Sequence, residues 1–142
     1  MTIALIAFVI LEFLNVIILY FFPQTKKGNG VGVFNAFEKS KQDPEVHVFI
    51  MYLINWIAGT KLIFIALLIV ILALGERELK LLSIAVLIPS IATFYWRLFP
   101  MIKKMDRNDQ ILPKGYSKTL GAMITGFLVV FISVLVYNLL KD

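Results

Sequence analysis

A few polar and charged side chains interrupt long apolar stretches of the sequence, where ionisable groups are rare and are often functional. Glu12 and Asn15 lie three residues apart within residues 2–22 and so share one face of a helix. Glu12 falls at the midpoint of that stretch, so we expect it to be protonated, paired with a base or facing a polar cavity. This placement is typical of a proton-coupled or cation-binding carboxylate. The alternative is a structural carboxylic acid that hydrogen-bonds a neighbouring helix.

A second set of polar residues follows one stripe of a later helix. Ser83, Ser90, Thr93 and Arg97 recur at spacings of seven, three and four residues. Such a stripe is expected to face protein or water. Arg97 has three alternatives: its side chain snorkels to lipid phosphates, turns inward to Glu12, or contacts an anionic ligand. We favour the first two.

Lys61 lies in an apolar block whose length decides how deep the lysine is placed. Residues 46–74 form 29 positions, about 44 Å of helix, which exceeds the roughly 30 Å hydrocarbon core of a bilayer. If the helix breaks near residues 57–60, Lys61 lies near the boundary and snorkels. If it does not break, Lys61 is level with Glu12 and an ion pair is the obvious solution. We expect the break, and therefore snorkelling.

The composition places these residues in an integral membrane protein. Of 142 residues, 60% are hydrophobic and 16% are charged, against roughly 45–50% and about 25% in soluble domains. We predict an all-α, four-transmembrane-helix bundle of one domain, antiparallel up-down, with a cytoplasmic amphipathic segment in loop one. The predicted helices cover residues 2–22, 46–74, 80–102 and 119–140. The glycine-rich start of loop one, at residues 28–32, is predicted to be flexible.

Basic residues predict the orientation of the bundle. Loops one and three hold nine lysines and arginines, and the opposite side holds only three. The positive-inside rule therefore predicts loops one and three in the cytoplasm and both termini outside. Four of the bases are candidates for contact with anionic lipid headgroups: Lys103, Lys104, Lys114 and Lys118.

Small residues in two of the predicted helices indicate close helix packing. In the fourth helix two small-xxx-small pairs overlap, Gly121 with Thr125 and Ala122 with Gly126. The candidate packing positions are Gly59, Ala66, Gly121, Ala122 and Gly126. The interface that they form is either within one chain or between chains.

Several classes of function find no support. The sequence has no cysteine and a single histidine, His47, which we expect to be solvated, so we predict no metal site and no cofactor. No hydrolase or nucleotide-binding fingerprint occurs, and the bases lack the aromatic platform of nucleic-acid binders.

We predict a homo-oligomeric transporter or channel-like protein that uses the buried carboxylate and the polar stripe. An oligomer, or a larger membrane complex, is needed because a single four-helix bundle can hardly enclose a pathway. The first alternative is a non-catalytic scaffold or accessory subunit in which the same residues satisfy each other. A lipid-processing enzyme that uses His47 is the weakest hypothesis, because no paired acid and base are visible.

Overall fold

The computed structural model describes residues 1–141, and their regular structure is helical. Four helices are long and apolar enough to cross a membrane, which confirms the all-α class with four candidate spans. The elements, in chain order, are α1 (Thr2–Phe21), a 3-10 turn (Val31–Val33), α2 (Asn35–Ser40), α3 (Pro44–Leu74), α4 (Arg77–Arg107) and α5 (Tyr116–Leu140).

Helix α3 is continuous, and the expected break near residues 57–60 is wrong. Its start is fixed locally, because the Asp43 side chain accepts hydrogen bonds from the backbone N–H groups of Glu45 and Val46, and Pro44 occupies the first turn. Thr60, inside the expected break, donates its hydroxyl to the Trp56 carbonyl at 2.9 Å, a bond within the same helix. The 31 residues extend about 46 Å.

Helix α4 is also longer than the sequence predicts. It begins at Arg77 instead of residue 80 and continues past Pro100 to Arg107. Each proline inside a helix removes one backbone hydrogen bond, and α4 contains two of them, Pro89 and Pro100. Lys104 and Arg107 lie in the last turn, where positive charge is stabilised by the helix dipole. The extension beyond the predicted end, residues 103–107, carries Lys103, Lys104 and Arg107.

The long helices pack in two main pairs, α1 against α3 and α4 against α5. A central apolar core joins all four of them, and Phe8 of α1 lies in it with its ring edge-on to those of Phe64, Phe127 and Phe131. The outer faces stay apolar and exposed along every long helix. Such surfaces require lipid or protein cover.

Loops one and three pack against each other at one end of the protein. Val33 and Ile111 are buried in a second, smaller core, and the Leu112 N–H donates to the Val33 carbonyl at 2.8 Å. The Asn35 N–H donates to the Gln110 carbonyl at 2.9 Å. The hydroxyl of Tyr116 donates to Asn29 at 2.9 Å. We call loops one and three, packed together in this way, the loop cap.

The glycine-rich start of loop one belongs to the loop cap and is not an open linker. Gly30 and Gly32 are buried, and a Cβ atom on Gly32 would collide with the carbonyl of Gln24. The close approach of the two backbone segments therefore requires glycine at this position.

Helix α2 is present where the amphipathic segment of loop one is predicted. Its apolar side chain Phe37 is only 4% exposed and packs into the central core beside His47, with ring centroids 5.6 Å apart. Protein therefore covers the apolar face of α2. The Oγ atom of Ser40 shares a hydrogen bond of 2.9 Å with Nδ1 of His47, so His47, expected to be solvated, is half-buried and has a protein partner.

Candidate functional site

A charged cluster that consists of Glu12, Asn15 and Lys61 lies between α1 and α3, partway along both helices. The Lys61 ammonium donates to Oε2 of Glu12 at 2.6 Å and to Oδ1 of Asn15 at 2.8 Å. Glu12 lies near the middle of α1 and Lys61 near the middle of α3. Because one carboxylate and one ammonium have no net charge together, the cluster is far less costly at membrane depth than either ion alone. We call it the ion-pair cluster.

The position of Lys61 corrects the expectation that it snorkels at the boundary. That expectation depended on a break in α3, and the helix has none. The continuous helix places Lys61 opposite Glu12, so the alternative arrangement is the one observed. Glu12 and Asn15 therefore satisfy the Lys61 ammonium, and it does not need lipid phosphates as partners.

Asn15 connects the ion-pair cluster to the loop cap. Its side-chain amide accepts from Lys61 and also donates Nδ2 to the carbonyl of Gly28 at 3.0 Å. Gly28 has a φ of +58°, a left-handed conformation that favours glycine. Loop one thus folds back along α1 as far as Asn15. By helical rise Asn15 lies about 9 Å before Phe21, the last residue of that helix.

An open groove of about 730 Å³ reaches the ion-pair cluster between α1, α3 and α4. Apolar and aromatic side chains form most of its walls, including those of Phe8, Trp56 and Phe64. The side chain of Lys61 is 31% exposed and that of Glu12 is 22% exposed, so a solute in the groove can touch both. An apolar groove with one ion pair in its lining suits an amphiphile with an ionic headgroup.

The predicted polar stripe lies on α4, and only part of it reaches this groove. Ser90 lines it, while Thr93 and Arg97 are exposed and are not among its lining residues. Each hydroxyl bonds its own helix, since Ser90 donates to the Val86 carbonyl at 2.8 Å and Thr93 donates to the Ser90 carbonyl at 2.6 Å. The Arg97 guanidinium lies 5.1 Å from the ring of its neighbour Trp96. It makes no ion pair with Glu12, whose partner is Lys61.

A second cavity, of about 390 Å³, lies where α4 ends and α5 begins, and we call it the basic pocket. It is lined by Phe99, Lys103, Asp106, Arg107, Lys114, Gly115, Ser117 and Lys118. Three of the four predicted headgroup lysines therefore meet at one site. Lys104 is exposed and is not part of the lining.

Asp106 organises the basic pocket, although it is itself buried. Its Oδ1 accepts from the Gly115 N–H at 2.9 Å, and its Oδ2 accepts from the N–H of Ser117 at 3.0 Å and from the Ser117 hydroxyl at 2.5 Å. Gly115 has a φ of +87°, which a side chain would strain. The carboxylate thus satisfies free N–H groups at the start of α5 from outside that helix.

Asp106 and Arg107 are site residues that sequence reasoning missed. A weak signal exists, because Phe99, Lys103 and Arg107 repeat every four residues and so share a helix face. That signal is visible only if the helix is extended beyond its predicted end at residue 102. The bond from Asp106 to a residue eleven positions later depends on how the chain turns between α4 and α5.

The groove residues on α3 carry a clearer missed signal. Trp56, Thr60 and Phe64 also recur every four residues, and Lys61 lies next to them on that face of the helix.

Some of the predicted small packing residues pack inside the protein, and the others face outward. A Cβ atom on Gly121 would come within 2.9 Å of the Phe99 ring, and Gly59 lies against the hydroxyl of Tyr20. By contrast Gly126 has open space around it. Ala66 and Ala122 are exposed. Of the two overlapping pairs in α5, one is used in the packing of the chain and the other faces outward.

The geometry defines an all-helical protein with four candidate membrane spans, an ion-pair cluster in a lateral groove and a basic pocket at the end that carries the loop cap. No protein-family model, curated protein or solved structure matches the chain.

Proposed function

We propose that the protein is a multi-pass membrane transporter for protons or amphiphilic cations, and that the ion-pair cluster is its binding site. The observation that carries the proposal is that Glu12 and Lys61 both line the groove and that both side chains are partly exposed. A cationic solute competes with the Lys61 ammonium for the Glu12 carboxylate. The aromatic walls add attraction, because ring faces attract cations.

A single chain does not enclose a pathway, so the proposal includes a homo-oligomer. The outward pair of Ala122 and Gly126 supports it, because small residues allow the helices of two copies to approach closely. In the same proposal loops one and three face the cytoplasm, as the distribution of bases favours, and neighbouring spans alternate in direction.

The test is flux in liposomes that contain the purified protein. The probes are protons, followed with a pH-sensitive dye, and the lipophilic cation tetraphenylphosphonium. We expect flux above that of empty liposomes, and we expect Glu12→Gln to abolish it. Glu76→Gln is the matched control, because it makes the same chemical change at an exposed residue in the turn before α4. Equal flux in Glu12→Gln and Glu76→Gln would refute the proposal, as would the absence of flux in the unaltered protein.

A structural scaffold is the second candidate, and one observation favours it. Among residues 1–141, no buried side-chain nitrogen or oxygen lacks a hydrogen-bond partner, so the polar groups already satisfy one another. A scaffold predicts that Glu12→Gln lowers thermal stability or assembly while the unaltered protein shows no flux. Size-exclusion chromatography with light scattering, run beside the flux assay, distinguishes the two candidates.

A further inference from the structure

The basic pocket is distinct from the groove, and its charges are arranged differently. Four cationic side chains line it, those of Lys103, Arg107, Lys114 and Lys118, and one carboxylate, that of Asp106. Counting these side chains alone, four positive charges and one negative charge leave a balance of +3. An excess of positive charge around a concave site attracts an anion.

The nearby carboxylates do not neutralise the pocket. Both oxygens of Asp106 accept hydrogen bonds from Gly115 and Ser117 at the start of α5. Asp109 pairs with Lys114 at 2.9 Å, and this partner raises the pKa of the Lys114 ammonium above its ordinary value, so Lys114 stays charged.

The other three bases of the basic pocket remain available. Within residues 1–141, Lys103, Arg107 and Lys118 pair with no carboxylate. The described part of the chain therefore supplies no anionic partner for these three side chains.

One face of α4 passes from apolar to basic as it enters the pocket. Phe99, Lys103 and Arg107 follow each other at four-residue spacing along this face. In the proposed membrane arrangement the aromatic end points toward the hydrocarbon and the basic end toward water. An amphiphile that lies along the face would place a phosphate at the bases and an acyl chain beside Phe99.

We propose that the basic pocket binds the headgroup of an anionic phospholipid, with preference for a phosphate monoester that carries up to two negative charges. Lys103, Arg107 and Lys118 contact the phosphate oxygens, since ammonium and guanidinium groups are the usual protein partners of phosphate. Basic pockets between membrane helices recognise lipid headgroups in this way. The α5 N-terminus is already capped by Asp106, so the side chains alone supply the recognition.

The test is lipid retention by the purified full chain in detergent micelles, measured by native mass spectrometry. The probes are phosphatidic acid, phosphatidylglycerol and phosphatidylcholine, each added at the same concentration. We expect retention in that order, with phosphatidic acid the strongest. The double variant Lys103→Gln/Lys118→Gln is expected to weaken phosphatidic acid binding by about tenfold or more.

The matched control is Lys26→Gln/Lys104→Gln, which removes the same charge from exposed bases outside the pocket. It should retain phosphatidic acid like the unaltered protein. Equal losses in the two double variants would overturn the proposal, because the attraction would then be general surface charge. Circular dichroism checks that each variant is folded. A misfolded double variant is replaced by the single change Arg107→Gln, judged by the same criterion.

A soluble phosphate is the competing source of the same chemistry. Glycerol phosphate and inorganic phosphate at tenfold molar excess should not displace phosphatidic acid, because neither supplies an acyl chain to lie beside Phe99. Complete displacement by either one would overturn the assignment to a lipid.

Discussion

The ion-pair cluster and the basic pocket each hold one carboxylate, beside one base in the cluster and among four in the pocket, and the two carboxylates have different partners. Glu12 accepts from the Lys61 ammonium. Asp106 accepts from backbone and hydroxyl groups of α5, and three bases around it keep no carboxylate partner within the part of the chain described. Both regions hold one carboxylate, but the basic pocket has more bases than acids, so its net charge is positive. The Asp106 oxygens bond groups at the start of α5 and form an ion pair with none of these bases.

The largest expected effect is that of Asp106→Ala. The substitution removes three hydrogen bonds at the start of α5 and leaves its N–H groups without a partner. We expect a loss of about 2–4 kcal/mol in the free energy of unfolding, as for loss of a helix cap together with charged hydrogen bonds. Denaturant unfolding in detergent, followed by circular dichroism, measures it.

The control for Asp106→Ala is Asp109→Asn, which removes the charge of an exposed carboxylate three residues later and keeps a side chain that tolerates the left-handed backbone there (φ +53°). It should change stability little, because exposed ion pairs contribute little. Equal losses in the two variants would show that Asp106 does not hold the helix start, and the contrast between the two regions would disappear.

A smaller effect is expected from Lys61→Met. The change leaves the Glu12 carboxyl group in an apolar groove without its cationic partner. We expect a loss of about 1–2 kcal/mol, since measured polar contacts between membrane helices are modest and this pair is partly exposed. Thermal unfolding of the reconstituted protein provides the measurement.

The exchange variant Glu12→Lys/Lys61→Glu sharpens this result. It restores opposite charges on the same two helices, so it should recover most of the stability that Lys61→Met loses. If the exchange is as unstable as the single variant, the charge pair itself does not stabilise the contact between α1 and α3.

The smallest effect is expected from Ser90→Ala. Ser90 lines the same groove as the ion pair, but its hydroxyl bonds only the Val86 carbonyl of its own helix. We expect a change of less than about 0.5 kcal/mol in the free energy of unfolding, as for most substitutions that break no tertiary contact. Differential scanning fluorimetry resolves whether Ser90 behaves in this way. A loss as large as that of Lys61→Met would mean that Ser90 belongs to the ion-pair cluster.

The positions of the four long helices could largely be predicted from the sequence, but the ends of these helices were predicted less well. Apolar runs of about 20 residues predict candidate membrane spans because a helix must satisfy its own backbone in lipid. The same rule says little about helix that continues outside the hydrocarbon. For this reason the prediction missed the end of α4 after residue 102, about one and a half turns, which carries Lys103 and Arg107.

The amino-acid sequence was enough to predict the all-helical class, the location of four long apolar helices and the midpoint position of Glu12 in the first of them. Hydropathy and helical rise depend on residues that are close together in the chain. The contact of Lys61 with Glu12 and the capping of α5 by Asp106 follow only from the tertiary structure. It also decided that Gly121 faces inward while Gly126 faces outward. These pairings join residues on different helices, and the rotation of each helix about its axis is set by the packing of the whole bundle.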